Sequence, residues 1–328
     1  MIQLDQPLTR NDLQLGEHSR PLWNAETIWQ PGKSWRQWPG PIVDEFVKWY
    51  TSHPDGKKEE VAGHLPVQLP RLSQFARGIQ LELTRGTGVV RIAAPGEDWD
   101  ESTLRQLYWV FGVLMGRPID SYGKLYEVKD RGFDHRQKRV PVSQTSASTS
   151  LHTDSSAVHV QPDLVGLLCL QPAQQGGESR ITSALTAHER LRQNCPHLLK
   201  WLYGDFIRDI VTPGVEPTIQ RRLENRFPVF RHHPGHGLNF RYMRYWIETG
   251  QQRAGLPLTS LQVEALDALE QALESRSAVS TFSLQRGEML WLDNWTVAHD
   301  RTAYVDDPLR PRRLLRMWLD LPLERRQA

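Results

Sequence analysis

Residues 151–154 read Leu-His-Thr-Asp, and this short stretch decides how we interpret the rest of the chain. In a β-strand, residues i and i+2 point to the same face, so the spacing predicts that His152 and Asp154 lie side by side. An imidazole nitrogen and a carboxylate oxygen are two of the three ligands of the 2-His-1-carboxylate triad that binds Fe(II). Such a pair also arises by chance, and a second copy, His53-Pro54-Asp55, falls in a predicted surface turn. The pattern therefore needs further partners.

The predicted third ligand is His299, which follows a strand-like apolar run that ends at Asp293-Asn294. It lies far from His152 along the chain, as expected for a ligand brought in by an opposite strand. Either histidine alone is also compatible with a structural, hydrogen-bonded role, and for His152 alone that role is favoured. Only the combination of the three residues predicts a metal site.

A strand-like run near the end of the sequence, Arg-Arg-Leu-Leu-Arg-Met-Trp-Leu, begins at Arg312. On strand periodicity Arg312 and Arg316 share one face and Arg313 lies on the other. Arginines in an apolar strand are costly to bury unless they meet anions, and the guanidinium group is suited to a carboxylate. The run therefore predicts either an anion site close to His299 or a set of structural ion pairs with Asp or Glu.

Taken together and in this order, the motifs resemble those of the Fe(II)/2-oxoglutarate-dependent dioxygenases of the taurine dioxygenase and clavaminate synthase-like group. The resemblance extends over about residues 85–322 and includes Gly176-Gly177-Glu178-Ser179. It implies that His152, Asp154 and His299 are the catalytic residues and hold the metal.

The resemblance also implies how the co-substrate is bound. Ser179 and Arg312 would hold the carboxylate of 2-oxoglutarate, with Arg316 as the same-face companion of Arg312. A register shift of one residue would give this role to Arg313 instead. The implied cofactors are Fe(II), 2-oxoglutarate and O2.

We expect an α+β protein, because predicted helices come early and strands late, without regular βαβ alternation. The resemblance makes the core a double-stranded β-helix (jelly roll) with flanking helices. One dioxygenase domain is expected over residues 1–328, with an N-terminal arm and helices over 1–84 and a lid-like insertion over about 205–258. Within the insertion, residues 205–237 show no clear periodicity, which is typical of a loop.

The implied reaction is hydroxylation, desaturation or cyclisation at an unactivated C–H of a small molecule, with release of succinate and CO2. A carboxylate at position 154, where related halogenases carry a small residue, favours C–H oxidation over halogenation. A zinc hydrolase with the same three ligands is an alternative, but it leaves Ser179 and the arginines without a role. A non-catalytic metal- or small-molecule-binding protein on the same scaffold is a second alternative.

The composition of the chain limits the classes of molecule that it is expected to bind. Forty basic and 38 acidic residues give a net charge of +2, which excludes a strongly basic nucleic-acid-binding surface. The sequence has no apolar run long enough for a membrane span and no signal-peptide pattern, so we expect a cytoplasmic protein with no membrane partner. We expect a small-molecule substrate and leave a homo-oligomer open. Arg241 and Arg244 are equally compatible with contacting an anionic substrate and with a solvated structural segment.

Overall fold

The computed structural model describes residues 20–53, 64–121, 123–132, 142–158, 160–211, 215–233 and 237–322. The helices it contains are α1 (Gly40–Ser52), α2 (Leu65–Gln68), α3 (Pro70–Arg85), α4 (Glu101–Met115), α5 (Ala184–Asn194), α6 (Pro196–Leu199), α7 (Ile219–Glu224), α8 (Arg244–Arg253) and α9 (Ser260–Glu274). The strands are β1 (Trp35–Arg36), β2 (Val89–Ile92), β3 (Arg117–Pro118), β4 (Tyr126–Val128), β5 (Leu164–Gln171), β6 (Gln175–Gly176), β7 (Ser179–Ser183), β8 (Asp205–Ile207), β9 (Arg226–Pro228), β10 (Phe230–His233), β11 (Gly237–Phe240), β12 (Ser280–Phe282), β13 (Met289–Asp293), β14 (Val297–Arg301), β15 (Tyr304–Val305) and β16 (Arg313–Asp320). The predicted mixture of helices and sheet is confirmed.

The main sheet has the strand order β1-β2-β13-β5-β16-β3, with β4 also paired to β16. Apart from the parallel pair β1–β2, these pairings are antiparallel. Helices α3 and α4 lie against this sheet, and their apolar residues share one core with Trp291 and Met317. Gly112 of α4 allows the close approach, because a Cβ at that position would lie 2.2 Å from the sulfur of Met317. The helices therefore cover the face of the sheet that carries Trp291.

A smaller sheet with the order β12-β7-β14 packs on the main sheet. Its Ile181 and Val297 lie in one apolar cluster with Leu290 and Cys169 of the main sheet. The pairing of β7 with β14 sets His299 opposite Ile181. This pairing brings His299 on β14 close to β7, the strand that begins at Ser179.

The expectation of an unstructured stretch over residues 205–237 is wrong for the residues that are described. This part of the chain folds into β8, α7, β9, β10 and β11, which are three to six residues long. The strands pair as β8–β9 and β10–β11. Elements this short show too few turns or alternations for periodicity to detect, and long-range packing stabilises them.

The first part of the predicted arm, residues 1–19, lies outside the described residues, as does most of the turn His53-Pro54-Asp55. The described part of the arm is anchored to the body of the protein. Trp23 is buried and its indole donates a hydrogen bond to the Thr87 carbonyl at 2.7 Å. Among the described residues, no helix is both long enough and apolar enough to span a membrane.

Candidate metal centre

His152, Asp154 and His299 come together at one point near the ends of the strands. Nε2 of His152 lies 3.8 Å from Oδ1 of Asp154, and Nε2 of His299 lies 3.9 Å from the same oxygen. The two imidazole rings have centroids 4.7 Å apart. One ligand atom from each residue lies within 4.8 Å of the other two. Metal–ligand bonds are about 2 Å long, so these atoms need only a small inward movement to surround one ion.

The strand geometry that the i, i+2 spacing of His152 and Asp154 assumes is not found, because the structure has a single β-bridge at His152. His152 and His299 exchange backbone hydrogen bonds of 3.0 and 2.9 Å. Asp154 already lies in a turn. The two side chains are therefore adjacent because of the bridge and the turn and not because of strand alternation.

Asn294 holds this turn in place. Its side-chain oxygen accepts a hydrogen bond from the backbone N–H of Asp154 at 2.8 Å. Its amide nitrogen donates to the Asp154 carbonyl at 3.0 Å and to the Pro162 carbonyl at 3.1 Å. Asn294 has no exposed surface. The sequence placed this residue in a polar turn after an apolar strand, but nothing in the pattern pointed to Asp154 as its partner.

Both imidazoles are suited to act as neutral ligands. Nδ1 of His152 donates to the Ser150 carbonyl at 2.8 Å, which leaves the lone pair of Nε2 directed away from that bond. Burial lowers the pKa of His152 despite the opposing effect of Asp154, and burial lowers the pKa of His299 to about 3. Both rings are therefore neutral at neutral pH, and in His152 the bond to Ser150 places the remaining proton on Nδ1 and leaves Nε2 free.

Asp154 is held as a carboxylate. Its Oδ2 accepts a 2.6 Å hydrogen bond from the indole of Trp318, and Nη1 of Arg316 lies 3.3 Å from the same oxygen. Burial alone would raise the pKa of Asp154. The positive charge of Arg316, the two imidazoles and the Trp318 hydrogen bond outweigh burial, and the pKa lies below its ordinary value. Oδ1 thus remains available as an anionic ligand. Trp318 lies two residues after Arg316, so strand alternation could have identified it.

The three arginines of the C-terminal strand have different surroundings. Arg313 donates to Glu127 at 2.7 Å and to Glu101 at 2.9 Å, so its charge is already neutralised. Arg316 lies against Asp154 and over the rings of Tyr126 and Trp318. The strand register is irregular between Arg313 and Leu314, so simple alternation does not relate Arg312 to Arg316.

Arg312 differs from both of its neighbours. It is 5% exposed, and its Nη1 has no hydrogen-bond partner among the described residues. Within the same residues it makes no ion pair; its guanidinium lies 5.1 Å from the centre of the Tyr304 ring. Burial lowers its pKa. A buried guanidinium group without a counter-ion is energetically costly, so this is a place where an anion would bind favourably.

The Gly176-Gly177 motif packs beside Arg312. Both glycines have positive φ, at +72° and +73°. A Cβ on Gly177 would lie 3.1 Å from Nε of Arg312, and one on Gly176 would lie 2.2 Å from the Ala303 carbonyl oxygen. Ser179 follows as the first residue of β7 and is buried. The glycines therefore allow the chain to pass close to the guanidinium.

A pocket opens next to the three clustered residues. Its walls include Val211, Met243, Trp246 and the loop after Asp154. Arg244 does not supply a free cation to it. Arg244 is ion-paired with Glu248, Asp267 and Glu270, and Arg241 donates to the Ser155 carbonyl. The interpretation of Arg244 as a contact for an anionic substrate is therefore not supported, and that of Arg241 stays a prediction.

The family described as "Taurine catabolism dioxygenase TauD, TfdA family" matches residues 55–318. The chain belongs to the TauD/TfdA family. FR-33289 synthase from Streptomyces rubellomurinus (strain ATCC 31215) is 27% identical over 273 residues, covering 80% of this chain and 74% of that protein. Human (Homo sapiens) gamma-butyrobetaine dioxygenase is 25% identical over 233 residues, covering 68% of this chain and 55% of that protein.

The structure of the non-heme iron oxygenase OrfP in complex with Fe and alpha-ketoglutaric acid has a similar fold. It has a TM-score of 0.65 at 14% identity, and covers 90% of this chain and 96% of that one. Membership of the TauD/TfdA family, together with these dioxygenase relatives in sequence, confirms the prediction of an Fe(II)/2-oxoglutarate-dependent dioxygenase that uses Fe(II), 2-oxoglutarate and O2.

Proposed function

We propose that this TauD/TfdA dioxygenase holds Fe(II) through Nε2 of His152, Oδ1 of Asp154 and Nε2 of His299. Two neutral imidazoles and one carboxylate are the donor set of non-heme Fe(II) oxygenases, and they leave positions for a co-substrate and O2. The support is the clustering of these atoms within 4.8 Å, together with the free lone pair on His152. The core that carries them is proposed to be a jelly roll formed by the main and the smaller sheet.

We further propose that Arg312 binds the far carboxylate of 2-oxoglutarate, with Ser179 beside it. The observation that carries this assignment is the buried guanidinium of Arg312, whose Nη1 has no partner within the described part of the chain. Arg313 is a poor candidate because Glu101 and Glu127 already neutralise it. A zinc hydrolase would need the three ligands but would leave this buried charge uncompensated.

The proposed reaction is oxidation of an unactivated C–H of a small molecule. When bound, Fe(II) and 2-oxoglutarate supply the oxidising chemistry with O2, and succinate and CO2 are released. The protein positions the substrate in the pocket against Met243 and Trp246 and keeps water away with these apolar side chains. Trp318 and Asn294 hold Asp154 in place. A single domain over residues 1–328 and a cytoplasmic location stay predictions.

The test is turnover of 2-oxoglutarate by the full chain with Fe(II), measured as succinate release with a panel of small molecules and with product masses recorded in parallel. We expect a product 16 mass units heavier for hydroxylation, or two lighter for desaturation or ring closure. The variant Asp154→Ala loses the anionic ligand and is expected to release no succinate above background while remaining folded. Undiminished release by Asp154→Ala would contradict the metal assignment.

A further inference from the structure

Side chains from other segments donate hydrogen bonds to the backbone carbonyl groups of the loop that follows Asp154, residues 155–158. We call it the post-ligand loop. Arg241 donates to the Ser155 carbonyl at 3.1 Å, and Arg208 lies 3.4 Å from the Ser156 carbonyl. Asn225 donates to the Ala157 carbonyl at 2.9 Å. Three successive carbonyl groups are thus each held by a different buried side chain.

The positive charges of Arg208 and Arg241 are not balanced by a described carboxylate. Arg208 has no exposed surface and Arg241 is 7% exposed, and neither forms an ion pair with any described carboxylate. Arg208 also donates to the Arg241 carbonyl at 2.8 Å, and Arg241 lies over the ring of Phe227 at 3.8 Å. Burying two guanidinium groups that face only carbonyl dipoles and a ring is costly in free energy. A protein that keeps two such costly groups is expected to need them for a specific role.

The anchor of this arrangement is Asp209. Its carboxylate is fully buried and forms ion pairs with Arg222 of α7 and Arg253 of α8. The backbone N–H of Asp209 donates to the Trp246 carbonyl at 2.9 Å. Arg208, the preceding residue, is therefore fixed between α7, α8 and the post-ligand loop.

The post-ligand loop is a part of the site that needs such support. Ser155 has a φ of 60°, a left-handed conformation that is unfavourable for a residue with a side chain. The loop lines the same pocket as Val211, Met243 and Trp246, which come from the chain segment that also contributes the arginines. Any movement of the loop would shift both the pocket wall and Asp154.

We infer that Arg208, Arg241 and Asn225 are positioning residues, which hold the post-ligand loop so that Asp154 stays in place to bind the metal. This inference rests on the proposed metal site. It gives the segment that follows β8 a second role besides forming a wall of the pocket, since the same segment determines the position of a ligand.

The test uses the full chain and the variants Arg208→Met and Arg241→Met, which keep an unbranched apolar stem and remove the guanidinium donors. Arg244→Met is the matched control, because Arg244 lies in the same segment but contacts only Glu248, Asp267 and Glu270 among charged residues that are described. Two quantities are measured: amide hydrogen exchange in residues 155–158 and the dissociation constant for Mn(II), which takes the same ligand set without turning over.

We expect both loop variants to exchange the amides of residues 155–158 about 10-fold faster and to bind Mn(II) about 10-fold more weakly, the lower end of the range for partners outside the ligand set. Amides of β5 should stay protected, and Arg244→Met should match the wild type. Unchanged Mn(II) affinity in Arg241→Met, or an equal loss in Arg244→Met, would overturn the inference. If Arg208→Met does not fold, Arg241→Met decides. Failure of the wild type to bind Mn(II) would instead count against the metal site itself.

Discussion

At the scale of single residues, the site is defined by which buried charges have partners. Asp154 has Arg316 and Trp318, and Arg313 has two glutamates, whereas Nη1 of Arg312 has no partner among the described residues. A terminal guanidinium nitrogen that the fold buries without any acceptor points to a ligand of the opposite charge. This contrast between neighbouring arginines distinguishes their roles more sharply than their sequence positions do.

Replacing Arg312 by Met should weaken binding of 2-oxoglutarate by about 2–5 kcal/mol, the usual cost of truncating one partner of a buried charge pair. The measurement is an anaerobic titration of the metal-loaded protein with 2-oxoglutarate. Arg313→Met is the control, because it removes an arginine that the glutamates already neutralise. A large loss in Arg313→Met with no loss in Arg312→Met would transfer the role to Arg313.

Replacing Trp318 by Phe keeps the ring but removes the indole N–H that donates to Asp154. We expect the affinity for Mn(II) to fall about 10- to 100-fold, as for other partners that orient a metal ligand. Trp29→Phe is the matched control, since its indole donates to Ser280 at 2.8 Å and not to a metal ligand. Equal Mn(II) affinities in the two variants would show that the Trp318 hydrogen bond does not orient the carboxylate.

At the scale of elements, close packing depends on a few glycines. Gly250 lies on the buried side of α8, and a Cβ there would come within 2.5 Å of the backbone of Arg208 and Asp209. Backbone atoms cannot move aside as a flexible side chain can. The helix and the end of β8 therefore tolerate no larger residue at this contact.

The variant Gly250→Ala is expected to lose about 1–3 kcal/mol of unfolding free energy, the usual cost of overpacking. Gly78→Ala is the control, for which we expect a change of the opposite sign. Gly78 lies in α3, and a Cβ added there would have nothing within 4 Å, so alanine should stabilise the protein by up to about 1 kcal/mol through its better helix propensity. Denaturant unfolding of both variants measures the two effects, and a neutral Gly250→Ala would contradict the packing argument.

The elements also show how far the sequence could predict the structure. Helices α4 and α9, at 15 residues each, have enough turns for an apolar stripe to be recognised. Strand β5 is apolar along its length and was equally recognisable. The short elements between residues 205 and 240 carry no such signal, because their stability comes from partners distant in the sequence.

For the candidate site, the sequence predicted the clustered residues but not the way in which they are held. His152, Asp154 and His299 were identified by residue type and spacing, although the expected strand around His152 is a single bridge. Asn294 and Arg208 could not be identified, because a hydrogen bond to a backbone carbonyl leaves no pattern in the sequence. Only three-dimensional proximity reveals such contacts.

At the scale of the whole molecule, the metal and the co-substrate should stabilise the fold, because they bind only where residues from distant parts of the chain meet. Ligand at 100 times its dissociation constant contributes about 2.7 kcal/mol, which corresponds to a rise in Tm of about 4 °C for a chain of 328 residues. We expect Mn(II) to raise Tm and 2-oxoglutarate to raise it further in anaerobic thermal denaturation. Arg312→Met should keep the first rise and lose the second; a full second rise in this variant would contradict the prediction.

The position of β5 between β13 and β16 has a consequence during translation. The ribosome completes β5 at Gln171, but its two partner strands begin only at Met289 and Arg313. Until then both edges of an apolar strand lack their native neighbours, a state that favours pairing with other chains and calls for chaperone protection. His299 is made after β13 and before β16, so the proposed iron site cannot assemble on a nascent chain before β13 is available to pair with β5.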